Sequence, residues 1–245
     1  MKTTSGIHRP RRFYNEAKIR SLPEGGFAVH LDSRPLKTPA GRPLVVPTRP
    51  LSEAIAAEWN ALGEHVDPAR LPLTGLANTA IDRIAANRSD IVSTLCGFAE
   101  ADLLCYRADA PEELVRRQQE MWDPPLAALA ERTGARLHAL VGVLPIMQPQ
   151  EALERIAEVL DTLDDWRLAV LQAVAGATRS LVLALLHALD AISCETVIAA
   201  AHLDETFQNE RWGFDEEAMR RRCVIEDEIR DADRFLALLA GKAKD

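Results

Sequence analysis

The stretch FAVHLDSRPLKTPAGRPLVVPTRPLSEAIAAEWNALG, residues 27–63, contains the point where the chain changes from β-type to helical patterning. Apolar residues alternate along 27–31, and this period of two indicates a half-buried strand. A proline at every fourth position from Pro35 to Pro47 predicts that the following strands stay short. From Thr48 the period becomes helical, with Thr48 as the N-cap of a helix that Gly63 ends.

Toward the N-terminus, residues 12–19 predict one more strand, which the turn at Pro23–Gly26 connects to residues 27–31. Four short strands joined by tight turns predict an antiparallel meander, over residues 12–19, 27–31, 36–38 and 44–46. A sheet of this size buries little apolar surface by itself, so it must pack on the rest of the chain.

Beyond residue 63 the patterning is mainly helical. DLLCYR (102–107) predicts a short strand, and RLHALVGVLP (136–145) has the composition of a strand that pairs with an earlier one. Asp123-Pro124-Pro125 predicts a break or kink in a helix over 111–132. Further helices are predicted over 150–162, 164–178, 180–190, 193–212 and 215–240.

These elements predict an α+β fold with two domains. A small N-terminal antiparallel β domain with its first helix comprises residues 1–66. A mainly α-helical C-terminal domain comprises residues 67–245.

The composition is typical of a water-soluble globular protein, with 47% hydrophobic residues, 27% charged residues and a net charge of −8. No apolar run approaches the roughly 20 residues of a membrane-spanning helix, and the N-terminus lacks the apolar region of a secretory signal. The first 50 residues are basic and the remainder is acidic, which argues against a protein that coats nucleic acid. Four cysteines without paired spacing indicate reduced thiols in a cytoplasm.

The segment HLDETFQNERWGFD, residues 202–215, contains the candidate functional residues. A carboxylate on an apolar helical stripe must be satisfied internally or face a partner, because burying it unpaired is expensive. Glu205 is therefore a site candidate, with an internal ion pair in a helix bundle as the structural alternative. At helical spacing its stripe begins as core and becomes polar: Cys194, Ile198, Ala201, Glu205, Gln208 and Trp212.

Signature motifs of the common enzyme classes are missing from the sequence, which has no GxGxxG, GxxxxGK[ST], GxSxG or HExxH. His202 and Glu205 have a spacing that allows them to share a metal ion. Two ligands without a third and a fourth make a weak site, so we predict neither a metal nor a cofactor. This pattern favours a binding role over an enzyme.

Five segments occur in order along the chain: GGFAVHLDSRPLKTP (25–39), LPLTGLANTAIDR (71–83), DLLCYRA (102–108), QQEMWDPPL (118–126) and LDETFQNERWGFDEE (203–217). Together they resemble the family of assembly chaperones for the F-type ATP synthase, whose client is the α subunit of the catalytic head. The resemblance extends over nearly the whole chain, from about Arg11 to Leu239.

The resemblance implies an ATP-independent holdase, not an enzyme, that prevents aggregation of the unassembled α subunit until the β subunit takes over. It implies a monomer, and because no transit peptide is visible we expect the bacterial cytoplasm, the counterpart of the mitochondrial matrix. The charge and hydropathy patterns predict no nucleic-acid partner and no membrane insertion. The family's functional acidic residue matches Glu205, and the adjacent Asp204 leaves a one-residue ambiguity. Gln208 and Trp212 complete the predicted client-binding set.

Two other classes of function stay open. An enzyme with Glu205 as general base, in an apolar pocket walled by Trp212, predicts a deep closed cavity and a raised carboxyl pKa. A permanent structural subunit predicts stoichiometric co-purification with the mature complex. The chaperone hypothesis predicts an open patch and transient association.

Overall fold

The computed structural model describes residues 10–142, 147–213 and 215–241. Contacts between residues divide the chain into two compact units. One unit runs to Asp82 and takes in the chain from Ala237 onward, and the other comprises Arg83–Leu236. An antiparallel sheet followed by a mostly helical region confirms the predicted α+β class. The proposed domain boundary between residues 66 and 67 stays a prediction.

The first unit contains a four-stranded antiparallel sheet formed by β1 (Ala17–Ser21), β2 (Phe27–Leu31), β3 (Arg34–Pro35) and β4 (Val45–Val46). β1 pairs with all of β2, and β3 and β4 pair with opposite ends of β2. The last pairing of the predicted meander is present as a short antiparallel contact, in which Lys37 bridges Pro43 and Leu44 N donates to Leu36 O, while β4 itself pairs with β2. Val29 contacts both sides of this pairing: its carbonyl accepts from Leu36 N and its N–H donates to Leu44 O, and the residues between them form a tight hairpin in which Thr38 N donates to Arg42 O.

The first strand begins later than the sequence predicts, at Ala17 and not at residue 12. The backbone N–H groups of Asn15 and Glu16 donate to the carboxylate of Asp32. This side-chain acceptor competes with strand pairing and ends the ladder at Ala17.

Two helices complete the first unit, α1 (Arg49–Asn60) and α2 (Pro72–Thr79), and a π-helical turn over Ala80–Ile84 follows α2. The N-cap prediction for α1 is confirmed, because Thr48 Oγ1 accepts the N–H of Leu51. Fully buried side chains of the sheet, α1 and α2 form the core of this unit: Val29, Leu44, Leu51, Ile55 and Leu73.

The second unit is mainly helical, with a two-stranded parallel pair, β5 (Tyr106–Arg107) and β6 (Leu140–Val141). That pairing confirms the predicted strand partnership; residues 143–145 of the predicted segment lie outside the described residues. The helices are α3 (Arg88–Glu100), α4 (Glu112–Thr133), α5 (Gln150–Thr162), α6 (Asp165–Thr178), α7 (Leu181–Ala188), α8 (Cys194–Ala201), α9 (Leu203–Trp212) and α10 (Glu216–Leu239), whose residues from Ala237 onward belong to the first unit. Every residue of α7 is buried, so this helix is central to the unit. No helix in the described parts of the chain combines the length and apolarity needed to cross a membrane.

α4 continues through Pro124 and Pro125 as one helix, so the predicted break does not occur. Tertiary contacts hold the turn before the prolines: Trp122 Nε1 donates to Ala200 O, and Arg107 forms an ion pair with Asp123 at 2.8 Å. These contacts offset the two N–H donors that the prolines lack.

The single helix predicted over 193–212 is also wrong, because it is two helices that meet at His202. His202 has φ −106° and ψ 14°, outside helical values. Asp204 and Glu205 then occupy the first turn of α9, where negative charge stabilises a helix N-terminus. This favours a new helix start over continuation of α8.

Candidate client-binding site

The orientation of α9 is set by its two buried side chains, Leu203 and Phe207. The opposite side of the helix carries the predicted site residues, which become more exposed toward its C-terminus. Asp204 and Glu205 are half-buried, Gln208 is exposed, and the Trp212 side chain is 77% exposed. The apolar stripe of α8 therefore leads into an open strip of carboxylates, an amide and an indole.

Glu205 has one neighbour that sequence reasoning considered only as a metal ligand, the imidazole of His202. The two side chains meet at 3.2 Å, between His202 Nδ1 and Glu205 Oε2. Burial lowers the pKa of His202, and the nearby Arg222 guanidinium lowers it further, against the opposing effect of Glu205. A neutral imidazole that donates Nδ1–H to the carboxylate therefore orients Glu205 without cancelling its charge.

Asp204 is held by a different donor, the side-chain amide of Gln118 in α4. Gln118 Nε2 donates to Asp204 Oδ1 at 2.8 Å, and Gln118 Oε1 accepts the N–H of Ala108 at 2.9 Å. Gln118 is only 2% exposed, so both ends of its amide are satisfied inside the protein. Asp204 and Glu205 thus point to different supports although they are neighbours in the chain.

Three of the segments that carry the family resemblance meet in this region. Arg107, from segment 102–108, donates to the carbonyl of Gln118, and its guanidinium lies 5.3 Å from the ring centroid of Trp122. Gln118 and Trp122 belong to segment 118–126, and Gln118 reaches Asp204 in segment 203–217. The helix that carries the candidate residues is therefore supported by a buried polar network.

Two cationic side chains contact the buried ring of Phe207 and hold α9 in place. The guanidinium carbons of Arg211 and Arg117 lie 4.4 Å and 5.3 Å from its ring centroid, which is cation–π geometry. Arg117 also pairs with Glu113 and Glu210, each at 2.7 Å. These contacts fix α9 to α4, and neither Gln208 nor Trp212 takes part in them.

The remaining resemblance segments, 25–39 and 71–83, meet inside the first unit. Thr38 Oγ1 donates to Asp82 at 2.8 Å, and the N–H of Ala40 donates to the other carboxylate oxygen at 2.9 Å. Asp82 therefore supports the loop between β3 and β4. Its role here is structural.

Among the described residues, the surroundings of Glu205 are not those of the deep closed cavity that the enzyme hypothesis requires. The Glu205 side chain is 33% exposed and already has a hydrogen-bond partner. Within the described residues, no group of three or more His, Cys, Asp or Glu side chains is arranged to hold a metal ion. His202 and Glu205 remain a pair without further ligands.

Sequence reasoning missed the supporting residues of this site: His202 as a hydrogen-bond donor, Gln118, Arg117 and Phe207. Gln118 lies in one of the five segments, but its partner is 86 positions away in the chain. No local pattern predicts such a pairing. Phe207 is buried on the side of α9 that faces away from the candidate residues.

Comparisons with known proteins agree with the resemblance. A family profile described as ATP12 chaperone protein matches residues 11–130. The crystal structure of Atp12 from Paracoccus denitrificans is similar with a TM-score of 0.86 and 42% identity, over 94% of this chain and 98% of that one. The mitochondrial protein atp12 of Schizosaccharomyces pombe is 29% identical over 231 residues, 89% of this chain and 79% of that protein. ATP12 of Saccharomyces cerevisiae, also mitochondrial, is 24% identical over 247 residues, 83% of this chain and 76% of that protein.

Proposed function

The chain belongs to the ATP12 chaperone family, and on that premise we propose that it binds the unassembled α subunit of the F-type ATP synthase. It prevents aggregation of α until the β subunit takes over. The family consists of assembly chaperones and not of enzymes. The single observation that carries the proposal is membership of this family, with 42% identity to Atp12 from Paracoccus denitrificans over nearly the whole chain.

The client surface in this proposal is the outer side of α9, formed by Asp204, Glu205, Gln208 and Trp212. The exposed indole of Trp212 supplies apolar contact area, and Gln208 supplies hydrogen-bonding groups. The two carboxylates supply charge that requires a basic or amide partner on α. A protein other than α that leaves such a charge unpaired would bind with ~2–5 kcal/mol less binding free energy, and this difference makes the surface selective for α.

Release in this proposal requires no nucleotide. The β subunit offers α a larger contact and displaces the chaperone by competition for the same client surface. The sequence has no phosphate-binding GxxxxGK[ST] loop. We therefore expect the same affinity for α with and without ATP. The chaperone acts as a monomer in the bacterial cytoplasm, the compartment that corresponds to the mitochondrial matrix of the yeast relatives.

The decisive experiment mixes the purified chain with isolated α or β subunit from the same organism, without nucleotide, and measures co-elution and light scattering of α. We expect selective co-elution with α and suppressed aggregation. The Glu205→Lys and Trp212→Ala variants should lose most of the capture at unchanged helix content, because both changes alter the outer side of α9.

Glu216→Lys is the matched control, since the Glu216 side chain is 91% exposed on α10 and the charge change is the same. It should capture α as the parent chain does. Equal loss in Glu205→Lys and Glu216→Lys would contradict the assigned surface. Co-purification of the chain with mature ATP synthase in fixed stoichiometry would contradict the chaperone role in favour of a permanent subunit.

A further inference from the structure

A groove of about 440 Å³ runs between α3 and α5 in the second unit. Its lining comes from both helices: Ser89, Val92, Ser93, Cys96 and Glu100 on α3, and Gln150, Leu153, Glu154, Ala157 and Asp161 on α5. None of these residues belongs to the client surface proposed on α9. The groove is a separate feature of the molecule and needs its own explanation.

The floor of the groove is apolar because each helix carries two adjacent rows of apolar residues. On α5, Ala152, Ile156 and Leu160 are buried in the unit, while the next row, Leu153 and Ala157, is only half-buried. On α3 the half-buried Cys96 lies beside the buried Leu95. The apolar face is therefore wider than the contact between the two helices covers.

The rim of the groove is acidic. Glu100, Glu154 and Asp161 are exposed, and within the described residues none of their carboxylates forms an ion pair. The basic residues of α3 and α5 have other partners: Arg88 pairs with Asp165 and donates to the backbone carbonyl of Asp161, and Arg155 pairs with Glu158. No Lys or Arg lines the groove. The acidic rim therefore gives the groove a negative electrostatic potential, and the floor of the groove is apolar.

We propose that this groove docks an amphipathic α-helix of a protein partner whose apolar stripe is flanked by Lys or Arg residues. The apolar stripe covers Leu153 and Ala157, and the flanking cations meet the acidic rim. Both walls are helices whose backbone groups are bonded internally, so an extended strand finds no free edge here. α3 and α5 each have 13 residues, about 20 Å, which matches a docked helix of three to four turns.

The side chains of α3 support a helix as occupant. Ser89 and Ser93 are one turn apart and both small, so a helix can approach α3 closely along that row. Burial and the negative rim raise the pKa of Cys96, whose thiol stays protonated and acts as an apolar contact. Each of these features favours packing of a helix over covalent or metal chemistry.

The test uses the full chain and a fluorescein-labelled 18-residue helical peptide with a Leu/Ala stripe flanked by Lys, measured by anisotropy. We expect saturable binding of this peptide. A twin with Glu in place of Lys should not bind, and a scrambled peptide of the same composition should bind at least about tenfold more weakly, because it has no apolar stripe. Equal binding of the scrambled peptide would overturn the proposal.

The variant that tests the groove is Glu100→Lys/Glu154→Lys, which should weaken peptide binding about tenfold or more. Its control is Glu131→Lys/Glu195→Lys, which changes net charge equally at exposed positions outside the groove. Equal weakening in both would show attraction by overall charge and would overturn the assignment to the groove. The proposal does not rest on the α-subunit function, since a client that binds only at α9 leaves the peptide measurements unchanged.

Discussion

Asp204 and Glu205 are adjacent residues whose carboxylates have different supports. Gln118 in α4 holds Asp204, and the imidazole at the start of α9, His202, holds Glu205. Successive helical positions differ by about 100°, so the two carboxylates cannot share one partner. Asp204 is therefore tied to α4, whereas the hydrogen-bond partner that Glu205 has among the described residues lies at the start of its own helix. We expect Glu205 to adjust more easily to a client.

Gly26 occupies a position in the turn before β2 where a side chain is not tolerated. Its φ is +83°, and an added Cβ would lie 2.9 Å from Val45 Cγ1 and 3.2 Å from Val46 O. We expect Gly26→Ala to lower the free energy of unfolding by about 1–3 kcal/mol, from backbone strain and from this clash. Urea denaturation measures the loss.

Gly25→Ala is the matched control for this substitution. Gly25 also has positive φ, +100°, but nothing lies within 4 Å of a Cβ there. Gly25→Ala should therefore introduce the backbone strain without the clash. Its free energy of unfolding should fall by less than that of Gly26→Ala. Equal losses in the two variants would mean that the contact with β4 has no role.

Asp102 predicts a pH dependence of stability. It is completely buried and accepts hydrogen bonds from Leu104 N, Ser180 Oγ and Val182 N. Burial raises the pKa of Asp102 from 3.8 to about 6, against the effect of these donors. The folded state therefore binds a proton that the unfolded state releases between about pH 4 and 6.

The protonated form of Asp102 stabilises the fold below pH 4, and this stabilisation is lost as pH rises through 6. Relative to Asp102→Asn, the parent chain should lose about 2–3 kcal/mol of unfolding free energy between pH 4 and 7. Chemical denaturation of both proteins at several pH values measures the difference. A difference that does not change with pH would contradict the raised pKa.

At the scale of elements, the pair of α4 and α9 is the framework of the proposed client surface. α4 supplies Gln118 and Arg117, and α9 supplies Asp204 and Phe207. The contact combines a buried amide–carboxylate hydrogen bond with cation–π packing. A substitution in α4 that shifts α9 should therefore also alter the proposed client surface.

Exchanging the hydrogen-bonding groups of Gln118 and Asp204 tests this contact. Gln118→Glu places two carboxylates face to face and should cost about 2 kcal/mol of stability at pH 7. The double variant Gln118→Glu/Asp204→Asn restores one donor and one acceptor, so it should regain at least about half of that loss. Thermal denaturation of the parent chain, the two single variants Gln118→Glu and Asp204→Asn, and the double variant measures the coupling between the two side chains.

Gln119→Glu provides the control, because Gln119 is the exposed neighbour of Gln118. It should change stability by less than about 0.5 kcal/mol. Purely additive effects of the Gln118 and Asp204 substitutions would contradict a direct contact between the two side chains.

At the scale of the molecule, the first unit includes both ends of the described chain. Leu238, near the C-terminus, is 7% exposed, and its carbonyl accepts from Thr48 Oγ1 at 2.8 Å. Leu238→Ala should lower the stability of the first unit by about 2–4 kcal/mol, because it leaves a cavity in that core. Amide hydrogen exchange in β2 measures this effect.

The half-buried neighbour Leu239 is the control position. Leu239→Ala should speed exchange in β2 less than Leu238→Ala does, since less apolar surface is lost. Unchanged exchange in Leu238→Ala would mean that the C-terminal residues are not part of this unit.

The sequence alone determined the features that depend on local periodicity and capping. The strand over 27–31, the N-cap at Thr48 and the helices over 150–162 and 164–178 agree with the structure within one or two residues. The five ordered segments were sufficient to identify the family. Periodicity also indicated which helix carries the candidate site, although the site residues themselves stay a prediction.

Only the tertiary structure decided the features that depend on contacts between distant residues. Pairing of β4 with β2 modified the predicted meander, and Trp122 and Asp123 kept α4 intact through two prolines. Both outcomes depend on hydrogen bonds or ion pairs made across the fold. A local window of sequence cannot show them, because the partner of each group lies outside it.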